Sequence, residues 1–148
     1  MQNAPAADRI AIHDLMIAYC TGVDSLGDID AILDVFTEDA VLDLSGIGLP
    51  KFEGHEAIAR FFAGVFTDMT HHAHYLTNFA MTGFTGDAAS ARAYIIGMGR
   101  AKDGNEVTVY GRYFFDVLRT ANGWKATKYS MDFTMPLPGS LAEIHRGN

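Results

Sequence analysis

The chain has 148 residues, 49% apolar and 20% charged, with ten Phe and six Tyr, which suits one compact domain over residues 1–148 and excludes intrinsic disorder; such a domain buries roughly 68–70% of the surface its unfolded form exposes. Eighteen acidic against eleven basic side chains give a net charge of −7, and without a Lys/Arg cluster to track phosphates nucleic acid is not an expected partner. The single Cys20 cannot form an intramolecular disulfide, the opening MQNAPAADR has neither a basic start nor an apolar run, and no stretch approaches the ~20 apolar residues of a membrane span, so a cytoplasmic protein without a membrane partner is expected.

Asp8 is placed to cap a first helix through RIAIHDLMIAYCTGVDSL, in which Ile12, Leu15, Met16, Tyr19, Cys20 and Val23 share one stripe at three- and four-residue spacing. Gly27 is its expected end, and a shorter helix follows from Asp28 with Ile29, Ile32, Leu33 and Phe36 along one side. AVLDL reads as a brief strand, and SGIGLPKFEG, with three glycines and Pro50, as an irregular loop. A third helix, HEAIARFFAGVF, carries Ile58, Phe61, Phe62 and Val65 on one face. From His71 to Phe133 four strand-like segments are joined by TGD, KDGN and TANG, which have hairpin chemistry. Three helices followed by a long antiparallel meander predict an α+β fold with segregated elements, and residues 135–148 a tail or lid over the sheet.

HHAHYLTN, residues 71–78, raises the functional question. On a strand His72 and His74 share a face while His71 points the other way. One reading is a metal site, but zinc or iron needs a further ligand, and Asp43, Glu53 and His55 are scattered without a recognisable spacing. A second leaves the histidines as polar residues on a half-wet sheet face. The third, ranked above both, pairs His74 with Asp24. A carboxylate near the C-terminus of the first helix is disfavoured by the helix dipole, which invites a functional explanation. By accepting from one ring nitrogen, Asp24 would fix the tautomer, leave the other lone pair free and stabilise the imidazolium: a general base.

The stretches AIHDLMIAYCTGVD, FTEDAVLDLSG, HYLTN and GRYFFDVLRTANGWKATKY, in this order and spacing, resemble the SnoaL-like family of the nuclear transport factor 2-like superfamily over nearly the whole chain. The resemblance implies a cone-shaped barrel in which a strongly bent antiparallel sheet is wrapped by three N-terminal helices around an apolar pocket. The branch resembled most contains hexachlorocyclohexane dehydrochlorinase, scytalone dehydratase and bile-acid dehydratase; it implies an Asp–His dyad without metal or organic cofactor, and by the match of GVD and HYLTN these roles fall on Asp24 and His74. Tyr19, five residues before Asp24, matches in spacing a tyrosine of the bile-acid dehydratases that would assist a leaving hydroxyl; core packing is the plainer account of the same residue. The arginine that helps hold chloride in the dehydrochlorinases is replaced by Thr120, with Arg119 one residue off and on the opposite strand face, so chloride elimination is not expected.

The expected activity is a cofactor-independent elimination, as in a dehydratase-type lyase, or an isomerisation of a small hydrophobic, cyclic substrate. His74 takes a carbon-bound proton, Asp24 holds the imidazolium, and Tyr19 or His72 supports the leaving oxygen or enolate. Leu42, Phe61, Phe62, Val65, Met69 and Tyr113 are the expected lining. Two rivals stay open: a non-catalytic small-ligand-binding or assembly domain, and, ranked lower, an epoxide hydrolase, for which no Asp-Arg-Asp set is evident. Among the other polar residues, Arg112 is expected to pair across the sheet, Trp124 to anchor a hairpin, and the aromatic strand VYGRYFF to mediate a homodimer or homotrimer.

Overall fold

The computed structural model of the protein describes residues 3–136. Helix α1 (Ala6–Asp24) is followed by α2 (Ile29–Leu33), β1 (Phe36–Asp43), a 3₁₀ turn (Ser45–Ile47), β2 (Lys51–Glu53), α3 (Gly54–Asp68), β3 (Met69–Phe84), β4 (Ala88–Ala101), β5 (Glu106–Thr120) and β6 (Gly123–Phe133). The six strands form one sheet in the order β2-β1-β6-β5-β4-β3.

The α+β class, the three helices and the hairpin meander β3–β6 follow the sequence reading, but the expected all-antiparallel barrel needs correction. β1 pairs with β6 in parallel, which makes the sheet mixed, and β2 and β3 remain as open edges, so it is cone-like without closing. A parallel neighbour is possible because α3 and four strands separate β1 from β6 in the chain, giving the long crossover that parallel pairing requires. The loop expected to be irregular contains β2, paired with β1 from Val41↔Glu53 to Asp43↔Lys51. Positions 137–148 of the expected tail or lid lie outside the described residues.

Two helix ends also differ from expectation. α1 starts about one turn early, with Pro5 at the N-cap position and no side-chain cap; Asp8 Oδ1 instead accepts from Arg119 Nη1 at 3.0 Å and Trp124 Nε1 at 3.1 Å, tying the helix to β5 and β6. Its last helical residue is Asp24, with Ser25 as C-cap, so Gly27 lies beyond the end. Asp28 caps α2 as expected, its Oδ1 accepting from Ala31 N at 3.0 Å.

Apolar burial holds the layers together. Ile12, Met16, Tyr19, Cys20 and Val23 of α1 are buried with Ile32, Ile58 and Phe62 of the other helices, although Leu15 is only partly covered; each full burial is worth roughly 1.5–3 kcal/mol. The inward row of β4 runs Ala89, Ala91, Ala93, Ile95, Gly97, Gly99, passing from packed side chains to the bare backbone of two glycines along one strand face. β3 bends where its register with β4 shifts between Thr77 and Ala80, the bulge being built on Asn78 in the left-handed region at φ 54°. The cross-sheet partner of Arg112 is Asp132, Nε to Oδ1 3.0 Å and Nη2 to Oδ2 2.5 Å, a bidentate geometry.

Candidate active site

Between the bent sheet, the C-terminal turn of α1, and α3 lies a cavity of about 760 Å³. Of the expected lining, Phe61, Phe62, Val65, Met69, His72 and Tyr113 are on its wall, with Tyr19 and His74. Leu42 is not: it is fully buried near the end of β1, while Leu44, leaving the strand toward the 3₁₀ turn, supplies the wall with Ile47 and Leu49. The charged residues of the wall, Asp68, Lys102 and Asp103, are exposed and form a rim.

Asp24 lies behind this wall and reaches the cavity through His74. Its Oδ1 accepts from His74 Nδ1 at 2.5 Å and its Oδ2 from the His74 backbone N–H at 3.0 Å. A carboxylate at a helix C-terminus meets the negative end of the dipole; two donors from β3 offset that penalty and at the same time aim the side chain. Because an ionised carboxylate only accepts, the imidazole proton is on Nδ1, and Nε2 carries its lone pair toward the cavity.

His72 has the same polarity. Its Nδ1 is 3.0 Å from the carbonyl of Val23, which can only accept, so here too Nε2 is the bare nitrogen. Burial holds His72 below the usual histidine range, opposed by the Val23 hydrogen bond and deepened by neighbouring His74. The two rings are 5.7 Å apart, edge to face. Their floor is β4: His72 pairs with Gly99 and His74 with Gly97. A Cβ on Gly97 would come within 3.2 Å of His74 Cδ2 and 3.3 Å of Nε2, and one on Gly99 within 3.2 Å of His72 Cδ2. The two glycines thus let both imidazoles lie on the strand. The alternation G-x-G opposite H-x-H carries this information in the sequence, but only once β3 and β4 are known to pair in this register.

Two expected residues, Tyr19 and Tyr113, are joined by a third, Tyr129, that was not singled out in the sequence. Tyr19, Tyr113 and Tyr129 are all buried and all on the cavity wall, the Tyr129 ring 4.9 Å from each of the others. Burial pushes all three phenols well above their ordinary range, a hydrogen bond with Tyr129 offsetting part of the rise at Tyr19. They therefore stay protonated as donors. The Tyr129 hydroxyl itself donates to Met131 Sδ at 3.2 Å. Cys20, buried nearby with its thiol pushed up to about 12 by burial and then by Asp24, is a packing residue without thiolate character.

The other marked residues lie elsewhere. Among the described residues no group of three His, Cys, Asp or Glu could hold a metal. Asp43 is occupied by Ser45 and lies near Lys51 and Lys128, His55 Nε2 is 2.9 Å from the Phe36 carbonyl, and the exposed His71 meets Thr70 Oγ1 at 2.9 Å. Arg119 is stacked over Trp124, 4.5 Å from the ring, and bound to Asp8, away from the cavity. No helix among the described residues is long and apolar enough to cross a membrane.

Residues 4–130 match the model of the SnoaL-like domain. No curated protein matches the chain. Among solved structures, a protein of Novosphingobium aromaticivorans with the provisional name aromatic ring hydroxylase is 66% identical, with a TM-score of 0.91 over 92% of this chain and 95% of the other. A provisionally named scytalone dehydratase of the same species is 20% identical, with a TM-score of 0.79 over 87% of this chain and 85% of that one. A hexachlorocyclohexane dehydrochlorinase of Novosphingobium barchaimii is 19% identical, with a TM-score of 0.77 over 89% of each chain.

Proposed function

Since the chain belongs to the SnoaL-like domain family, within the nuclear transport factor 2-like superfamily, and its cavity presents an imidazole aimed by a carboxylate, we propose that it is a cofactor-independent lyase, of dehydratase type, or isomerase acting on a small hydrophobic cyclic substrate. The observation that carries the reading is the double hold of Asp24 on His74, side chain and backbone, with His74 on the wall of a mostly apolar cavity. In the proposed reaction Nε2 removes a proton from a ring carbon next to a carbonyl. Asp24 then faces an imidazolium, whose charge it stabilises while holding the ring in place. Tyr19 or Tyr113 donates to the developing enolate or the departing oxygen, in a space where displaced water no longer weakens such contacts. A cavity that merely stored an apolar molecule would need no oriented base.

Hydroxylation, the activity in the name of the 66% identical protein, requires an oxidant and a group to activate it. Two imidazoles whose Nδ1 atoms are already engaged, together with three phenols, suit proton transfer better. The exposed Tyr75 and Tyr110, both opposite Ile96 across β3–β4–β5, mark the outer sheet face that we propose for association with a second copy; sedimentation of the native protein and of a Tyr75→Lys, Tyr110→Lys variant tests it.

The test of the base does not require the natural substrate. Deuterium uptake from D₂O at the α-carbon of a ring ketone, 2-tetralone, is followed with native protein and with His74→Ala. Native protein should accelerate exchange, and His74→Ala should lose roughly 10²–10⁴-fold of that acceleration while keeping the native circular dichroism spectrum. Equal rates in a folded variant would remove His74 from the mechanism.

A further inference from the structure

The proposed reaction needs one base, yet the cavity wall carries two imidazoles with bare Nε2 atoms. We infer that His72 is a specificity-determining acceptor: its Nε2 takes a hydrogen bond from a hydroxyl on the ligand's ring, close to the carbon that His74 addresses. The inference rests on the proposed reading only in taking the cavity as the substrate site and His74 as its base.

Three observations support it. The Val23 carbonyl, at the end of α1, fixes the His72 proton on Nδ1, so the neutral ring cannot donate to a leaving oxygen, the role first expected of it; it can only accept. No described residue donates to His72 Nε2, and Gly99 and Met69, beside the adjoining Cδ2, have no side-chain donor to offer. Burial disfavours the protonated ring, which favours the acceptor form at neutral pH. An occupant without a donor at this point would strip water from Nε2 and return nothing, which is costly for a polar atom. One carrying a hydroxyl would satisfy it. The wall then has two complementary sides: phenol donors suited to a carbonyl, and an acceptor suited to a hydroxyl, with His74 addressing the carbon nearby. The ligand class is a neutral ring compound bearing at least one hydroxyl.

The probes are 2-naphthol and its methyl ether, 2-methoxynaphthalene, in which a methyl group replaces the donor proton. Native protein should bind the naphthol about tenfold or more tighter, the expected scale for one buried acceptor left unpaired. His72→Phe should equalise the two probes and His72→Gln, which restores an acceptor oxygen, should recover part of the preference. In native protein the His72 Nε2 nitrogen resonance should move with naphthol and stay with the ether, a readout available whether or not the Phe variant folds. Equal affinities in native protein, binding of neither probe, an unmoved His72 resonance, or a preference that survives in folded His72→Phe would each overturn the inference. Failure of the general base is read separately, because His74→Ala, expected to lose most of the deuterium exchange, should leave the hydroxyl preference in place.

Discussion

Replacing Asp24 by Asn removes one acceptor from an arrangement that uses two. The native carboxylate accepts from His74 Nδ1 at 2.5 Å with one oxygen and from the His74 backbone N–H at 3.0 Å with the other. An amide has a single oxygen. If that oxygen stays on the ring, the amide NH₂ faces the backbone N–H, and a half-buried donor left unsatisfied costs about 1–3 kcal/mol. If it stays on the backbone, the NH₂ faces Nδ1, which must then accept, and the ring proton moves to Nε2. Losing a hydrogen bond to a charged group removes about 1.5–3 kcal/mol from the native tautomer; with His74 15% and Asp24 29% exposed, the lower part of that range applies. At 1.4 kcal/mol per factor of ten, the tautomer ratio shifts by at least about tenfold. The two-bond proton–nitrogen NMR spectrum should therefore show a single neutral His74 tautomer with the proton on Nδ1 in native protein, and a large fraction on Nε2 in Asp24→Asn. Deuterium exchange into 2-tetralone should fall with it by about tenfold or more, since in that fraction the lone pair no longer faces the cavity. An Asn variant that keeps the Nδ1 proton and exchanges at the native rate would refute the orienting role of Asp24.

Three further outcomes follow from the same geometry. Gly97→Ala places a Cβ at 3.2–3.3 Å from the His74 ring, so the imidazole must move by a few tenths of an ångström; exchange should slow about tenfold or more with little change in melting temperature, and an unaltered rate would show that the ring's seat is not critical. Arg119→Ala should leave exchange unchanged because the guanidinium lies against Trp124, Asp8 and the Gly86 carbonyl and not in the cavity, while thermal denaturation shows a modest loss of stability; a large activity loss would place Arg119 in the site after all. Burial lowers the affinity of folded His72 for a proton relative to the unfolded chain at 6.5. The unfolded state therefore binds more protons in the window just below 6.5, so urea-unfolding stability should fall as pH drops through 6.5 and level off below the folded value. That fall should be smaller in His72→Gln, and an identical profile would mean that His72 is not buried in solution.

The elements were legible where they rest on local periodicity. The α1 stripe, the Asp28 cap and the hairpin strands depend on neighbours three, four or two positions away, which the chain states directly. The nearness of Asp24 to His74 was legible for a related reason: an acid at a helix C-terminus is electrostatically out of place and calls for a compensating partner. Leu42 and Leu44 show the limit. Two like residues two apart on one strand face are indistinguishable in the sequence, and only the departure of the chain into the 3₁₀ turn decides that Leu44 lines the cavity while Leu42 is packed away.

By itself the sequence determined the helix faces, the strand alternation and the residue types able to move a proton, because these follow from spacing along one chain. The tertiary structure alone decided the parallel pairing of β1 with β6, the gathering of Tyr19, Tyr113 and Tyr129, the Val23 carbonyl that sets the His72 tautomer, and the glycine floor beneath both imidazoles. Each depends on which distant segments become neighbours and in what register, and a shift of one residue in that register would turn every side chain of a strand to the opposite face.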